Sequence, residues 1–126
     1  MVFENAFSLF NQDSRIVFLG DDLDVSGEVA LAITMTAHEL ATNAIKYGSL
    51  SNTSGRVGIN SIVNGDKFQL VWKEFSGPPV KKPERTGFGT KMIERLLAAA
   101  VKGSVDIAYE RDGLRSTLQA NLKGLN

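Results

Sequence analysis

The chain has 126 residues, 43% of them hydrophobic and 22% charged, with 14 basic residues against 14 acidic ones and no cysteine. A chain of this length folds around one core, so we expect a single domain over residues 1–126. Zero net charge argues against a general nucleic-acid or membrane-surface binder, and the lack of cysteine excludes disulfides, thiolate metal sites and a catalytic thiol. With no apolar span or export signal, we expect a cytoplasmic protein without direct membrane contact.

A strand and a long helix are the first predicted elements. Residues 15–19 are rich in β-forming side chains and lie between turn-forming residues. From Ser26, a favourable N-cap, apolar residues recur at helical spacing as far as Gly48, where a C-cap glycine is expected. Residues 1–12 carry three phenylalanines and fit either a helix end or an edge strand.

Two hairpins and a second helix complete the chain. The first hairpin turns at Asn64-Gly65, and the second turns at residues 111–113. Residues 76–87 hold all three prolines and no periodicity, so they are predicted to be a loop. The predicted strands are residues 56–63, 67–75, 104–109 and 115–122, and the second helix runs from residue 89 or 90 to 102.

The order of these elements predicts the fold class. A strand and a helix are followed by a hairpin, a loop, a second helix and a second hairpin. Antiparallel hairpins with two interposed helices indicate an α+β fold, a two-layer α/β sandwich with both helices on one face of a mixed, mostly antiparallel sheet.

Three polar side chains form a stripe on the first helix. Glu39, Asn43 and Lys46 are spaced i, i+4, i+7 and therefore share one side of the helix. The stripe is either an ordinary solvated face with a glutamate–lysine pair or a site for a hard metal ion. The second interpretation is possible because a carboxylate and an amide supply the oxygen ligands that Mg²⁺ accepts alongside phosphates.

A glycine-rich segment precedes the second helix. Gly87 and Gly89 flank Phe88, and Thr90 follows at the helix start. A helix start offers free amide groups and a positive dipole, and glycines let a phosphate approach the backbone. The alternative is that the glycines only permit the turn, because the segment is neither a Walker loop nor a dinucleotide fingerprint.

Glu74 ends a strand whose alternating apolar residues include Trp72. Continued alternation places the carboxylate on the apolar face, where it requires a hydrogen-bond partner. That partner is either a protein donor or the exocyclic amine of a purine.

Together, the three segments resemble the ATP-binding domain of bacterial sensor histidine kinases, which have the Bergerat fold of the GHKL ATPase superfamily. The resemblance is greatest to the HWE subfamily, named for a histidine in the asparagine box and a later tryptophan-x-glutamate. It covers residues 15–122 and rests on HELATNAIKYGSLS (38–51), WKEFSGPPV (72–80) and RTGFGTKMIERLL (85–97).

The resemblance implies a role for each matching residue. Asn43 would hold Mg²⁺ between the phosphates of ATP, Glu39 would help to set up the metal or a water, and Lys46 would reach the phosphates. Glu74 would accept the adenine amine. The remaining positions would line the nucleotide: Tyr47 at the base or ribose, Gly77 beside the purine, Gly87, Gly89 and Thr90 at the phosphate tail, and Thr117 in the adenine pocket.

The chain also departs from the family pattern. Ser76 stands where the first glycine box usually has a glycine, and residues 80–86 form a short segment, so the lid over the nucleotide would be reduced. The only histidine, His38, is the box residue and not the phosphoacceptor. It lies about 100° round the helix from Glu39, which favours a packing or hydrogen-bonding role over a general-base role.

The implied activity is that of a protein-histidine kinase catalytic domain with ATP and Mg²⁺ as cofactors. It would donate the γ-phosphoryl group to a histidine on a separate dimerisation domain, and a response regulator would be served indirectly. Two other functions fit the same fold: a degenerate docking module of a histidine phosphotransferase, and a serine kinase of the anti-sigma type.

Overall fold

The computed structural model describes residues 15–20, 24–78 and 88–125. The predictions for residues 1–12, for most of the 76–87 loop and for Gly87 concern residues outside these ranges. In chain order the described elements are β1 (Ile16–Gly20), α1 (Gly27–Lys46), a 3₁₀ turn (Ser49–Ser51), β2 (Arg56–Asn64), β3 (Lys67–Phe75), α2 (Phe88–Val101), β4 (Ser104–Glu110), β5 (Gly113–Asn121) and a C-terminal 3₁₀ turn (Leu122–Leu125).

The five described strands form one mixed sheet in the order β1-β2-β3-β5-β4. β1 is parallel to β2, and the other pairs are antiparallel, which confirms the predicted sheet. In the first hairpin Asn64 pairs with Lys67, so the two-residue loop is Gly65-Asp66 and not Asn64-Gly65. Gly65 has φ +64°, and glycine is favoured at the first loop position of such a turn for this reason.

Both helices cover the same face of the sheet. Alternate residues of β2 and β3, such as Ile59 and Leu70, are buried together with Ile33 of α1 and Leu97 of α2. The intervening strand residues face the other side, where Ile62 is exposed. The two-layer α/β sandwich is therefore confirmed. None of the described helices is long and apolar enough to cross a membrane.

The N-terminal end of α1 is as predicted, and the C-terminal end is not. Ser26 is the N-cap, and its side chain accepts a hydrogen bond from the backbone N–H of Val29 at 3.2 Å. At the other end the C-cap is Tyr47, and Gly48 has φ −112°, outside the left-handed region. Gly48 is therefore not the C-cap, although it directly follows it, and its φ does not require glycine.

Candidate functional site

The polar stripe of α1 lies at the margin of its buried face. Glu39 and Asn43 are half-buried, and Lys46 is exposed in the last turn. Leu40 and Ala44, the residues that follow Glu39 and Asn43, are buried in the core. The Glu39 carboxylate and the Asn43 amide therefore lie at the boundary between the core and the solvent. This position differs from that of side chains on a fully solvated helix face.

The Glu39 carboxylate and the Asn43 amide are too few to hold a metal ion by protein ligands alone, but their oxygens suit Mg²⁺. No three His, Cys, Asp or Glu residues within 15–20, 24–78 and 88–125 are grouped so that they could hold a metal ion. Mg²⁺ commonly takes one or two protein oxygens and completes its shell with water and phosphate. Asn43 and Glu39 fit that requirement.

The two helices of the layer run in opposite directions. The C-terminal end of α2 is at the start of α1: Val101 O abuts Gly124, and Leu125 O accepts from the Ser26 N–H at 2.9 Å. One turn earlier in α2, Leu97 lines a small cavity with Ala37 and Leu40 of α1. The helices therefore run antiparallel.

Helix geometry extends this alignment to the start of α2. From Leu97 back to Phe88 is about 13 Å at 1.5 Å per residue, which is also the length of α1 from Ala37 to Lys46. The first turn of α2, with Gly89 and Thr90, therefore lies toward the C-terminal half of α1.

Glu74 is buried, with 3% of its surface exposed, on the same face of β3 as Trp72. Its Oε1 accepts a hydrogen bond from the Ser49 N–H at 3.0 Å, and its Oε2 accepts one from Trp72 Nε1 at 3.2 Å. Protein donors therefore hold both oxygens. Each carboxylate oxygen can accept two hydrogen bonds, so Glu74 retains the capacity to accept a further donor.

Two glycines allow this arrangement. A Cβ on Gly48 would overlap Glu74 Oε1 and would lie 3.1 Å from Ala44 Cα, so the carboxylate lies against the end of α1, next to the turn that holds Asn43. A Cβ on Gly77 would overlap the Cα of Ser49. Gly77 is therefore required by the close approach of the Ser49 backbone, a reason that sequence reasoning did not identify.

Ser76 has φ +56°, in the left-handed region that favours glycine. This conformation accounts for the glycine that the family pattern usually has at this position. The residue is exposed, and its carbonyl accepts hydrogen bonds from Asn52 Nδ2 and Ser54 Oγ, each at 3.3 Å.

Thr117 lies on the face of the sheet away from Glu74, whereas its neighbour Ser116 lies on the same face as Glu74. Ser116 pairs with Trp72 and lines the cavity between the sheet and α1, whereas Thr117 pairs with Val71 on the opposite face. The sequence indicated this orientation, because Thr117 is an odd number of residues from Leu114 and from Leu118 and therefore lies on the other face of the strand. The cavity measures about 30 Å³, which fits a water molecule and not a purine.

Lys73 was missed by the sequence reasoning. It lies between Trp72 and Glu74 but faces the other side of the sheet, where it is 6% exposed. Its Nζ lies 3.3 Å from Glu110 Oε1 and 3.1 Å from both Asp112 Oδ1 and the Gly113 carbonyl oxygen. The lysine therefore holds the β4–β5 turn against β3, directly behind Glu74.

The other predicted residues on α1 are solvent-facing. Tyr47 is 77% exposed at the C-cap, close to Lys46. His38 is also exposed. Glu39, Asn43 and Lys46 thus lie along the C-terminal half of α1, Tyr47 is its C-cap, and Glu74 lies against the end of the helix.

Comparisons with known proteins agree with this fold. No protein-family model matches the chain. The Blue-light-activated histidine kinase of Brucella ovis is 39% identical over 105 residues, which are 80% of this chain and 22% of that protein. The histidine kinase domain of the Erythrobacter litoralis EL346 blue-light activated histidine kinase superposes with a TM-score of 0.71 at 17% identity, covering 96% of this chain and 58% of that one.

A second solved structure has the same fold. The histidine kinase ThkA, in complex with the response regulator TrrA, superposes with a TM-score of 0.68 at 17% identity, covering 96% of this chain and 39% of that one. The fold is therefore that of histidine kinase catalytic domains. The chain is similar to blue-light-activated histidine kinases, which confirms the resemblance to histidine kinases, and it spans about a fifth of the length of the relative it matches.

Proposed function

We propose that the chain binds Mg-ATP and donates the γ-phosphoryl group to a histidine on a separate dimerisation domain, as a catalytic domain of the HWE type in two-component signalling. The observation that carries this proposal is the position of Glu74. A buried carboxylate with spare acceptor capacity lies against the end of α1, next to the turn that holds Asn43.

The base end of the nucleotide would be read by Glu74. Its two protein donors, the Ser49 N–H and Trp72 Nε1, fix the orientation of the carboxylate before a ligand arrives. The fixed acceptor suits the 6-amino group of adenine and repels the 6-oxo group of guanine. Gly77 would lie beside the purine and Tyr47 would flank the base or ribose.

The phosphate end would lie between the two helices. Asn43 and Glu39 would supply oxygen ligands to Mg²⁺, and Lys46 would reach the phosphates from the last turn of α1. The backbone at Gly87, Gly89 and Thr90 would donate hydrogen bonds to the phosphate tail. Bound Mg²⁺ neutralises phosphate charge, and phosphoryl transfer depends mainly on such positioning and charge compensation.

The partners follow from the proposed reaction. A histidine-bearing dimerisation domain would be the direct acceptor. The complex of ThkA with TrrA supports a response regulator as the indirect partner.

Titration of the chain with ATP, with and without Mg²⁺, tests the proposal. We expect Asn43→Ala to lose the Mg²⁺-dependent part of ATP binding and Glu74→Ala to lose the preference for ATP over GTP. Asn60→Ala, which changes an exposed asparagine on the opposite face of the sheet, is the matched control and should bind like the wild type. Circular dichroism of each variant checks that it is folded.

The outcome separates this function from its rivals. No binding at millimolar ATP would exclude a kinase and leave the docking module. A phosphorylated partner whose product survives acid would indicate serine transfer, because phosphohistidine is acid-labile.

A further inference from the structure

The side of α1 that points away from the sheet carries a row of apolar side chains. Leu31, Met35 and Ile45 are 62%, 41% and 59% exposed, and His38 and Thr42 complete the row. The Thr42 hydroxyl donates to the His38 carbonyl oxygen at 2.8 Å, so its polar atom is used within the helix. We refer to these five residues as the outer row.

The spacing of the outer row is that of a helix that pairs with another helix. Its members follow one another at intervals of four, three, four and three residues, the repeat of a coiled-coil seam. Single exposed apolar residues are ordinary, whereas a continuous row about 21 Å long indicates a docking surface.

Two charged residues flank the outer row on the same side. Glu28 lies in the first turn of α1 and Lys46 in the last turn, and both are exposed. About five whole turns of 3.6 residues separate them, so they point in the same direction round the helix. The row therefore has a negative charge beside its start and a positive charge beside its end.

The outer row complements itself when a second copy of α1 runs antiparallel to the first. With His38 of both copies at a two-fold axis, Leu31 faces Ile45 of the second copy, and Met35 faces its Thr42. A two-fold interface of this kind brings apolar side chains together along the whole row.

The flanking charges favour the antiparallel direction. A two-fold axis across the two helices keeps a flanking residue on its own side of the row, so Glu28 of each copy lies beside Lys46 of the other. A parallel pair would bring each residue level with its own copy, and both ion pairs would be lost. Such pairs contribute mainly to the choice of direction and partner.

We propose that the outer row is a homodimerisation surface, through which two copies of the chain pair antiparallel along α1 about a two-fold axis at His38. Both helices are already formed, so the pairing costs no helix folding. Two heptads make a small interface, and we therefore expect a weak dimer with a dissociation constant of about 10–100 μM.

Cysteine cross-linking tests the arrangement, because the chain has no cysteine of its own. Under mild oxidation His38→Cys should form a disulfide-linked dimer by itself, since its two copies meet at the axis. Leu31→Cys and Ile45→Cys should each stay monomeric alone, because like positions are about 20 Å apart, and should cross-link to each other when mixed. Leu96→Cys, at a position 48% exposed on α2, is the control for random collision.

Sedimentation equilibrium of charge-reversed chains tests the ion pairs. Glu28→Lys and Lys46→Glu should each dimerise about tenfold more weakly than the wild type, because each brings like charges together at both ends of the row. An equimolar mixture of the two should recover the wild-type affinity, since opposite charges meet again. Circular dichroism checks that each variant is folded.

Three results would overturn the proposal: a wild-type chain that stays monomeric at millimolar concentration, cross-linking of His38→Cys no greater than that of Leu96→Cys, or self-cross-linking of Leu31→Cys, which would indicate a parallel pair. None of these measurements uses ATP. The failure of the dimer and the failure of the proposed function are therefore distinguishable.

Discussion

At the residue scale, Gly48 shows how a glycine can be required by a neighbour and not by its own backbone. Its φ of −112° suits any residue, yet a Cβ there would overlap Glu74 Oε1. The space left by the missing side chain is the space that the carboxylate occupies. The glycine after α1 and the glutamate on β3 are therefore coupled, although they are far apart in the sequence.

Gly48→Ala is expected to lower the free energy of unfolding by about 1–3 kcal/mol, because the carboxylate must move away from the Ser49 N–H and Trp72 Nε1. It should also weaken ATP binding. Urea denaturation and nucleotide titration measure the two effects. Gly27→Ala is the control, since a Cβ there meets nothing within 4 Å, and an effect of equal size at Gly27 would contradict the steric explanation.

At the element scale, the packing of α2 on the sheet partly buries the carboxylate of Glu94 and disfavours its ionised form. Burial raises the pKa of Glu94 above its ordinary value of 4.5, the positive charge of Lys91 partly offsets this, and the negative charge of Asp106 on β4 adds to it. Burial also raises the pKa of Tyr109, with a further contribution from the charge of Glu94. The contact between α2 and β4 is therefore weaker when Glu94 is ionised.

The sign of the resulting pH dependence follows from linkage. Since the folded pKa lies above the unfolded one, the folded state binds more protons between them, and stability falls as pH rises through this interval. Glu94→Gln should therefore raise the melting temperature at pH 7, and the gain should disappear below pH 4.5. Thermal denaturation at both pH values checks this. A gain that persists in acid would contradict the assigned cause.

At the scale of the whole molecule, the C-terminal 3₁₀ turn joins the two helices. Leu125 is 2% exposed, its carbonyl accepts from the Ser26 N–H at the start of α1, and the neighbouring Gly124 abuts the end of α2. The turn thereby contributes to the antiparallel alignment of the helices. That alignment directs the start of α2 toward the C-terminal half of α1.

Leu125→Ala is expected to cost about 2–5 kcal/mol of unfolding free energy, the range for truncating a buried leucine. Leu19→Ala, at a position 65% exposed on the edge strand β1, is the control and should change stability by less than about 0.5 kcal/mol. Chemical denaturation of both variants measures the difference. Equal losses would show that the turn does not stabilise the helical layer.

Local patterns in the sequence were sufficient for the elements and their order. Ser26 as N-cap, the helical spacing of α1 and the alternation of β3 each depend on residues close together in the chain, and each prediction was confirmed. The wrong predictions concerned exact positions. The turn begins at Gly65, and Thr117 faces away from Glu74, because strand pairing decides register and face.

The sequence by itself determined the fold class, the family resemblance and the stripe of Glu39, Asn43 and Lys46, because hydrophobic periodicity and motif spacing are properties of neighbouring residues. Only the tertiary structure decided that Glu74 is held by Ser49 and Trp72, that Gly48 makes room for it, and that Ser49 keeps an unpaired hydroxyl. The contacts of Gly48 and Ser49 with Glu74 join segments about 25 residues apart, and their geometry exists only once the helix is packed on the sheet.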